Sequence, residues 1–240
     1  GTVLCFRDCA YFIIDFRYIE KARTVVKNCT VLEQHDLLEQ VRNLLEEHQA
    51  KTVAVESMTM TLNQFSKLKK SLGSRFRLDY SDILSRAIYA CRTVKSEAEL
   101  EKIRAAQLIA VICFMDILNF LRPGISERDV MLRLNQTMME HGSDGESFPT
   151  IALTGTATSM PHGVPSAERL IQEGDFVLMD YGATVEGYHS DMTRTVAVGK
   201  PSEKMRQIYE TVLCAQKTAI AGPKAGITGR ELDKYARDII

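Results

Sequence analysis

The stretch that decides the fold is Phe176-Val177-Leu178-Met179-Asp180-Tyr181-Gly182-Ala183-Thr184-Val185-Glu186-Gly187-Tyr188-His189-Ser190-Asp191-Met192-Thr193-Arg194-Thr195-Val196-Ala197-Val198. Two runs rich in β-branched and apolar residues flank a Val-Glu-Gly corner, and this pattern predicts a β-hairpin. Each run carries one aspartate near its middle, so two carboxylates are expected within one small sheet.

The relation between the two aspartates depends on the turn. If the turn is centred between Val185 and Glu186, Asp180 lies directly opposite Asp191, whereas a bulge at Gly187 would shift the register by one. Directly opposed side chains share a face with Cβ atoms about 4.5–5.5 Å apart, and like charges there repel. A buried carboxylate also needs a hydrogen bond, an ion partner or a metal.

Two interpretations of the aspartate pair follow from the residues. An isolated pair of this kind favours a plain structural role, such as loop capping or an ion pair with a basic residue like Arg194. Placement in the middle of both strands favours a bound cation, which would offset the repulsion between the two carboxylates.

Composition excludes several classes of protein. The 240 residues include 30 basic and 31 acidic side chains, and this balance disfavours a dedicated nucleic-acid binder. No apolar stretch reaches about 18 residues without charges, which predicts no membrane span. The beginning of the sequence shows no signal-peptide pattern. Six cysteines without a CxxC pair predict reduced, mostly buried thiols in a cytosolic protein.

The first part of the chain, residues 1–92, predicts a small α/β domain because strand-like and helix-like segments alternate along it. Strands are expected over residues 2–6, 9–14, 52–55 and 76–78, and helices follow Tyr18 and cover residues 35–49 and 61–72. The composition changes near residues 91–95, and a second domain is expected over residues 97–240.

The second domain shows signs of an internal duplication. Capping sequences open helices at Ser96, Ser126 and Thr228, and another helix is expected over residues 201–221. Residues 123–127 and 224–231 are alike, and each segment follows a long helix and opens another. We therefore expect residues 97–198 to be a first copy and residues from 203 onward to begin a second, whose own hairpin would follow Ile240.

Four motifs resemble a known family: Ser147–Gly155 (SFPTIALTG), Met160–Ser166 (MPHGVPS), Gly174–Ala183 (GDFVLMDYGA) and Gly187–Thr195 (GYHSDMTRT). They are similar to the Xaa-Pro peptidases, aminopeptidase P and prolidase, which are pita-bread metallopeptidases. Residues 1–92 resemble the creatinase-like N-terminal domain of that family. The resemblance implies an α/β N-terminal domain plus an α+β pita-bread domain, of which this chain holds the first half of the pseudo-two-fold repeat, as a fragment truncated at both ends.

The resemblance also implies a site. Two divalent metal ions, manganese first and cobalt or zinc as alternatives, would activate a hydroxide that cleaves the bond between an N-terminal residue and a following proline. Asp180 and Asp191 match two of five metal ligands, and the other three, one histidine and two glutamates, are expected beyond Ile240. His162 matches an active-site histidine with catalytic and substrate-binding roles. The fragment itself is expected to be inactive.

For the full-length protein the resemblance implies a cytoplasmic homodimer acting on proline-containing peptides. The charge balance and the hydropathy pattern predict no nucleic-acid or membrane partner. It leaves open whether the substrate is a dipeptide or a longer peptide. Two alternatives stand beside it: a methionine aminopeptidase-type exopeptidase, and a non-catalytic pita-bread module that binds peptides.

Four side chains close to the aspartates in sequence are given structural roles. Thr193 shares a face with Asp191 and is expected to orient it by a hydrogen bond. His189 is expected opposite Gly182, packing across the strands. Tyr181 and Tyr188 are expected to pack against the covering helices.

Overall fold

Two separate hydrophobic cores organise the chain, one within Gly1–Val94 and the other within Lys95–Ile240. The computed structural model describes every residue from Gly1 to Ile240. Each unit contains two small sheets.

The first unit contains β1 (Thr2–Cys5), β2 (Ala10–Ile14), α1 (Ile19–Val25), β3 (Thr30–Glu33), α2 (Leu37–Glu47), β4 (Thr52–Ala54), α3 (Leu62–Leu72), β5 (Arg77–Asp79) and α4 (Ile83–Thr93). Strand β2 pairs with β1 antiparallel and with β3 parallel, while β4 and β5 form a parallel pair. The sequence pattern predicted this alternation, but not strand β3 or helix α4.

The core of the first unit follows from helical periodicity. Val41, Leu44 and Leu45 lie on one side of α2 and are buried, as their spacing predicts. They pack with Ile13 of β2, which is fully buried, and with Leu72 at the end of α3.

The second unit contains α5 (Glu97–Phe120), α6 (Glu127–Glu140), β6 (Gly145–Glu146), β7 (Ile151–Thr154), a 3₁₀ helix at Gly155–Ser159, β8 (Phe176–Tyr181), β9 (Ala183–Val185), β10 (Tyr188–His189), β11 (Met192–Ala197), α7 (Glu203–Ala221) and α8 (Gly229–Arg237). Its strands form two antiparallel sheets in the orders β7-β8-β11 and β6-β9-β10. Strand β8 is therefore central in the first sheet and carries Asp180.

One face of the β7-β8-β11 sheet packs against α5 and α6. Val177, Met179 and Tyr181 alternate along β8 and are buried in the core with α5 residues such as Ala110. The Tyr181 hydroxyl donates a hydrogen bond of 2.9 Å to the Ala110 carbonyl, and burial raises the pKa of this phenol. Tyr188 likewise donates to the Glu99 carboxylate at 2.8 Å. The predicted packing of both tyrosines against helices is confirmed.

Helix α5 is long and apolar enough, by length and composition, to cross a membrane. In this structure it is the helix on which the second core is built, with Ala106, Ala110, Cys113 and Ile117 buried against the sheet and α6. A single helix of this kind is weak evidence for a span, because the core helix of a globular domain passes the same test.

Helices α6 and α8, which follow the long helices α5 and α7, begin in the same way. Gly124 and Gly226 adopt φ of +87° and +96°, a region that glycine enters without strain. Capping boxes follow at Ser126–Asp129 and at Thr228–Glu231. In each box the hydroxyl accepts from the backbone amide of the acidic residue, and the carboxylate accepts from the backbone amide of the hydroxyl residue. The predicted helix starts are confirmed.

The cysteines differ from expectation. All six are free thiols, but only Cys113 is buried, and burial raises the pKa of its thiol to about 11. Cys5, Cys91 and Cys214 are exposed. The prediction that most are buried is therefore wrong, because several lie on the outer sides of strands and helices.

A partly buried ion pair joins α5 to α6. Arg133 donates from Nε and Nη2 to the two carboxylate oxygens of Asp116 at 2.8 and 2.7 Å, and Thr137 donates to the same carboxylate at 3.1 Å. The Arg133 hydrogen bonds hold the pKa of Asp116 below its usual value of 3.8. A lowered carboxylate pKa stabilises the fold above the ordinary value and ceases to do so as the pH falls through the folded-state value.

Asp116→Asn is therefore expected to lower the free energy of unfolding by about 1–2 kcal/mol at pH 7. The difference from the unsubstituted chain should shrink as the pH falls below about 4, because the carboxyl of the unfolded chain then takes up a proton while the native Asp116, whose pKa is lowered, does so only at still lower pH. Urea unfolding at several pH values measures it. Asp233→Asn, which removes an exposed pair with Arg237 within one helix, is the control and should change stability by less than about 0.5 kcal/mol. Equal effects of the two substitutions would contradict this account.

Candidate functional site

The register of the central hairpin is set by a two-residue turn at Glu186 and Gly187. Their φ angles of +48° and +79° are both positive, as a type I′ turn requires. Val185 consequently pairs with Tyr188, and the same register places Asp180 opposite Thr193. The prediction that Asp180 lies opposite Asp191 is wrong, because the turn is centred one residue later than assumed and the pairing shifts by two.

The hairpin also changes sheets at its middle. Strands β8 and β11 belong to one sheet and β9 and β10 to the other, with Gly182 and Asp191 at the junction. The register is the same on both sides of this junction, so no extra residue is inserted.

Both aspartates nevertheless lie on the face of the sheet opposite α5 and α6, called here the open face. Asp180 lies between the buried Met179 and Tyr181 of β8 and is half-buried. Asp191 is exposed, and its neighbours Ser190 and Met192 are both buried. Asp180 and Asp191 are thus diagonal neighbours, for which a regular ladder gives a separation of about 7–8 Å.

The expectation that the two carboxylates are buried and repel each other from directly opposed positions is wrong. Neither carboxylate lies in the core, and the diagonal arrangement separates the charges further than direct opposition would. Arg194 is no ion partner for them: it alternates with Thr193 and points to the helix side, where its guanidinium lies 5.9 Å from the centre of the Phe114 ring.

Thr193 is the side chain that orients a carboxylate, but the carboxylate is that of Asp180. The Thr193 hydroxyl donates to Asp180 Oδ1 at 2.8 Å across the strands. The expected bond to Asp191 is therefore wrong for the same reason of register. His189 pairs with Thr184 rather than lying opposite Gly182, and its Nδ1 lies 3.1 Å from the hydroxyls of Thr184 and Ser147.

Gly182 is required by close backbone approach. A Cβ atom there would lie 1.9 Å from the Ser190 carbonyl oxygen and 2.9 Å from Ser147 Cβ. The Gly182 carbonyl also accepts a hydrogen bond of 2.8 Å from the Ser147 amide. Sequence reasoning gave Gly182 no role, although a glycine inside a strand is a known signal of such an approach.

His162 lies in the long connection between β7 and β8 and is exposed. The next residue, Gly163, packs closely against the Leu153 side chain. A Cβ atom added to Gly163 would lie only 2.6 Å from Leu153 Cδ1. Leu153 pairs with Leu178, and Leu178 shares a face with Asp180. The loop of His162 therefore lies over the same open face that carries the two aspartates.

The donor chemistry fits part of a divalent metal site. Carboxylate oxygens are the ligands preferred by Mg²⁺, Mn²⁺ and related hard cations. Within the chain, no group of three or more histidine, cysteine, aspartate or glutamate side chains is gathered closely enough to hold an ion. Asp180 and Asp191 are two hard oxygen donors on one face and could hold part of such a site.

A sheet with helices on one face and two hairpin aspartates on the other fits the expected pita-bread fold, and a separate α/β unit precedes it in the chain. Residues 101–240 match metallopeptidase family M24, and residues 1–94 match the creatinase/prolidase N-terminal domain. The chain belongs to metallopeptidase family M24. The predicted family and fold class are confirmed.

Similar proteins carry peptidase names. An uncharacterized peptidase of Bacillus subtilis, YqhT, is 36% identical over 241 residues, covering 100% of this chain and 67% of the relative. The Xaa-Pro dipeptidase of Pyrococcus horikoshii is 38% identical over 190 residues, covering 79% of this chain and 52% of that protein. The solved Xaa-Pro dipeptidase from Bacillus anthracis matches with a TM-score of 0.90 at 36% identity, covering 100% of this chain and 67% of that one. The chain therefore spans about half to two thirds of the length of these relatives.

Gly182→Ala is expected to destabilise the second unit by about 1–3 kcal/mol, because its methyl group would collide with a backbone oxygen that cannot rotate away. Urea unfolding measures the loss. Gly145→Ala is the matched control, since a Cβ at Gly145 meets nothing within 4 Å. If the two variants unfold at the same urea concentration, the close approach at Gly182 has no energetic importance.

Proposed function

We propose that this chain contributes part of the metal and substrate site of a peptidase that hydrolyses the bond between an N-terminal residue and a following proline. Membership of metallopeptidase family M24 supports metal-dependent peptide hydrolysis. The names of the two Xaa-Pro dipeptidases among the similar proteins support the proline specificity. The observation that carries the proposal is the pair Asp180 and Asp191 on the open face.

Asp180 and Asp191 would hold the metal from the sheet side. The Thr193 hydrogen bond to Oδ1 fixes the orientation of the Asp180 carboxylate, and a fixed carboxylate loses less entropy when an ion binds. The diagonal arrangement leaves more room between the two carboxylates for bound cations than direct opposition would. Divalent ions held by Asp180 and Asp191 would lower the pKa of bound water and would so supply a nucleophile at neutral pH.

His162 would act from the loop side. Its imidazole is exposed on the loop that lies over the open face, and an imidazole can both donate and accept hydrogen bonds. In the proposed reaction it contacts the substrate and steadies the charge that develops on the scissile carbonyl. A proline in the second position presents a tertiary amide without an N–H, so the site needs a proton donor for the departing nitrogen.

We propose manganese as the metal, because the two donors in this chain are hard carboxylate oxygens. With two donors only, we expect the 240-residue chain to bind the ion weakly and to show little or no hydrolysis. The full-length protein is proposed to be a homodimer in the cytoplasm, where its six free thiols would stay reduced.

Metal binding is tested on the chain itself by paramagnetic broadening. Mn²⁺ titrated into the ¹⁵N-labelled chain should first broaden the amide signals around Asp180, Asp191 and Thr193. Asp180→Asn and Asp191→Asn should each abolish this selective broadening, because each removes half of the available charge. Glu186→Gln, which neutralises an exposed carboxylate at the tip of the same hairpin, is the control and should leave it intact.

The two alternatives predict other outcomes of that titration and of activity assays. A full-length version of the protein loaded with Mn²⁺ is expected to cleave Gly-Pro and Xaa-Pro peptides at least about ten times faster than Met-Ala peptides, a difference of about 1.4 kcal/mol in barrier. The reverse preference would favour a methionine aminopeptidase. Binding of proline peptides without metal or cleavage would favour a non-catalytic module.

A further inference from the structure

Glu127 is the most buried carboxylate of the second unit, with 1% of its side chain exposed. It is the first residue of α6. A carboxylate so far from water is costly unless several donors surround it. Those donors show what this side chain does in the fold.

All the side-chain partners of Glu127 lie outside its own helix. Oε1 accepts from the Thr154 amide at 2.8 Å, at the end of β7. Oε2 accepts from the Ser166 amide at 2.9 Å and from Arg169 Nε and Nη2 at 2.9 and 2.8 Å. The carboxylate therefore joins residues on both sides of the loop that contains His162.

Further contacts extend this connection towards His162. Arg169 Nη2 also donates to the Val164 carbonyl at 2.8 Å, two residues after His162. The Arg128 amide donates to the Ser166 carbonyl at 3.2 Å. The end of the loop is thus bound to the Glu127 carboxylate and to the start of α6. The middle of the loop, at Gly163, packs against Leu153 of the sheet.

Helix capping does not explain Glu127. The capping box of α6 is complete with Ser126 and Asp129. Helix α8 begins with the equivalent box, Thr228 and Glu231, and has Gly229 at the position that Glu127 occupies in α6. The buried carboxylate is present only at the helix start that faces the His162 loop.

We propose that Glu127 is a positioning residue that holds the His162 loop over the open face, through the amides of Thr154 and Ser166 and the guanidinium of Arg169. The inference rests on the proposed function in one respect, since the importance of the loop depends on the role of His162. Glu127 itself touches neither substrate nor metal. It acts by restricting where His162 can lie.

The test compares Glu127→Gln with the unsubstituted 240-residue chain. The amide group keeps the shape of the side chain but replaces one acceptor with a donor that faces donors already present. Amide hydrogen exchange at the non-proline residues of 160–166 should become at least about ten-fold faster, while exchange within the central turns of α6 changes by less than about two-fold. The ¹H–¹³C signal of the His162 ring should shift, and the His35 and His48 signals should not.

Asp129→Asn is the matched control. It removes a carboxylate from the capping box of the same helix, two residues away, but from none of the loop contacts. It should raise exchange in the first turn of α6 and leave residues 160–166 and the His162 signal unchanged. If Glu127→Gln does not fold, Arg169→Gln is used instead, and the loop should again exchange faster because Val164 and Glu127 both lose a donor.

The outcomes separate this inference from the proposed function. Unchanged loop exchange and an unchanged His162 signal in folded Glu127→Gln would overturn the positioning role, whatever the chain does with metals. Adding Mn²⁺ to both chains tests the link to the proposed function. The ion should broaden the His162 ring signal in the unsubstituted chain and broaden it less in Glu127→Gln. The Thr193 amide signal should broaden equally in both. Failure of Mn²⁺ to bind either chain would count against the proposed function and leave the exchange result standing.

Discussion

The turn at Glu186 and Gly187 is the constraint on which the site depends. Because both residues adopt positive φ, the loop contains two residues, and the pairing of every residue in β8, β9, β10 and β11 follows from it. A shift of one residue would move an entire strand to the other face of the sheet. The shift of two residues, from the expected register to the observed one, keeps Asp180 and Asp191 on one face but changes their relation from opposite to diagonal.

The division of the sheet into a covered and an open face explains where chemistry can occur. Val177, Met179 and Tyr181 bury their side chains against α5 and α6, and the Tyr181 hydroxyl finds an acceptor within α5. Alternation then directs Asp180 to the other side, where water and ions have access. Burial of one face thereby supports a rigid platform for charged groups on the other face.

Sequence reasoning succeeded where the signal is local. Capping boxes, helical periodicity and the strand pair around the Val-Glu-Gly corner each depend on residues close in the chain, and the structure contains all of them. The register was wrong because Glu186, a residue that rarely takes positive φ, does so here beside Gly187. Reading Gly187 as the second central residue of a type I′ turn would have given the observed pairing.

The features that escaped sequence reasoning are those between distant segments. Glu127 contacts Thr154, Ser166 and Arg169, which lie 27 to 42 residues further along the chain. The residues next to Glu127 in sequence therefore indicate only a helix start and not these contacts. The approach of Gly163 to Leu153, which places His162 over the open face, depends in the same way on how a long connection folds back. Thr193 was identified as an orienting residue, but which aspartate it contacts depended on the register.

The central claim, that Asp180 and Asp191 together bind a divalent metal on the open face, is tested most directly by crystallography of the 240-residue chain soaked with Mn²⁺. Data collected near the manganese absorption edge would locate the ion without assumptions about the protein. The account predicts an anomalous peak within about 2.0–2.6 Å of carboxylate oxygens of both aspartates. Anomalous peaks at other carboxylates, with none at Asp180 or Asp191 while both are free of lattice contacts, would contradict it.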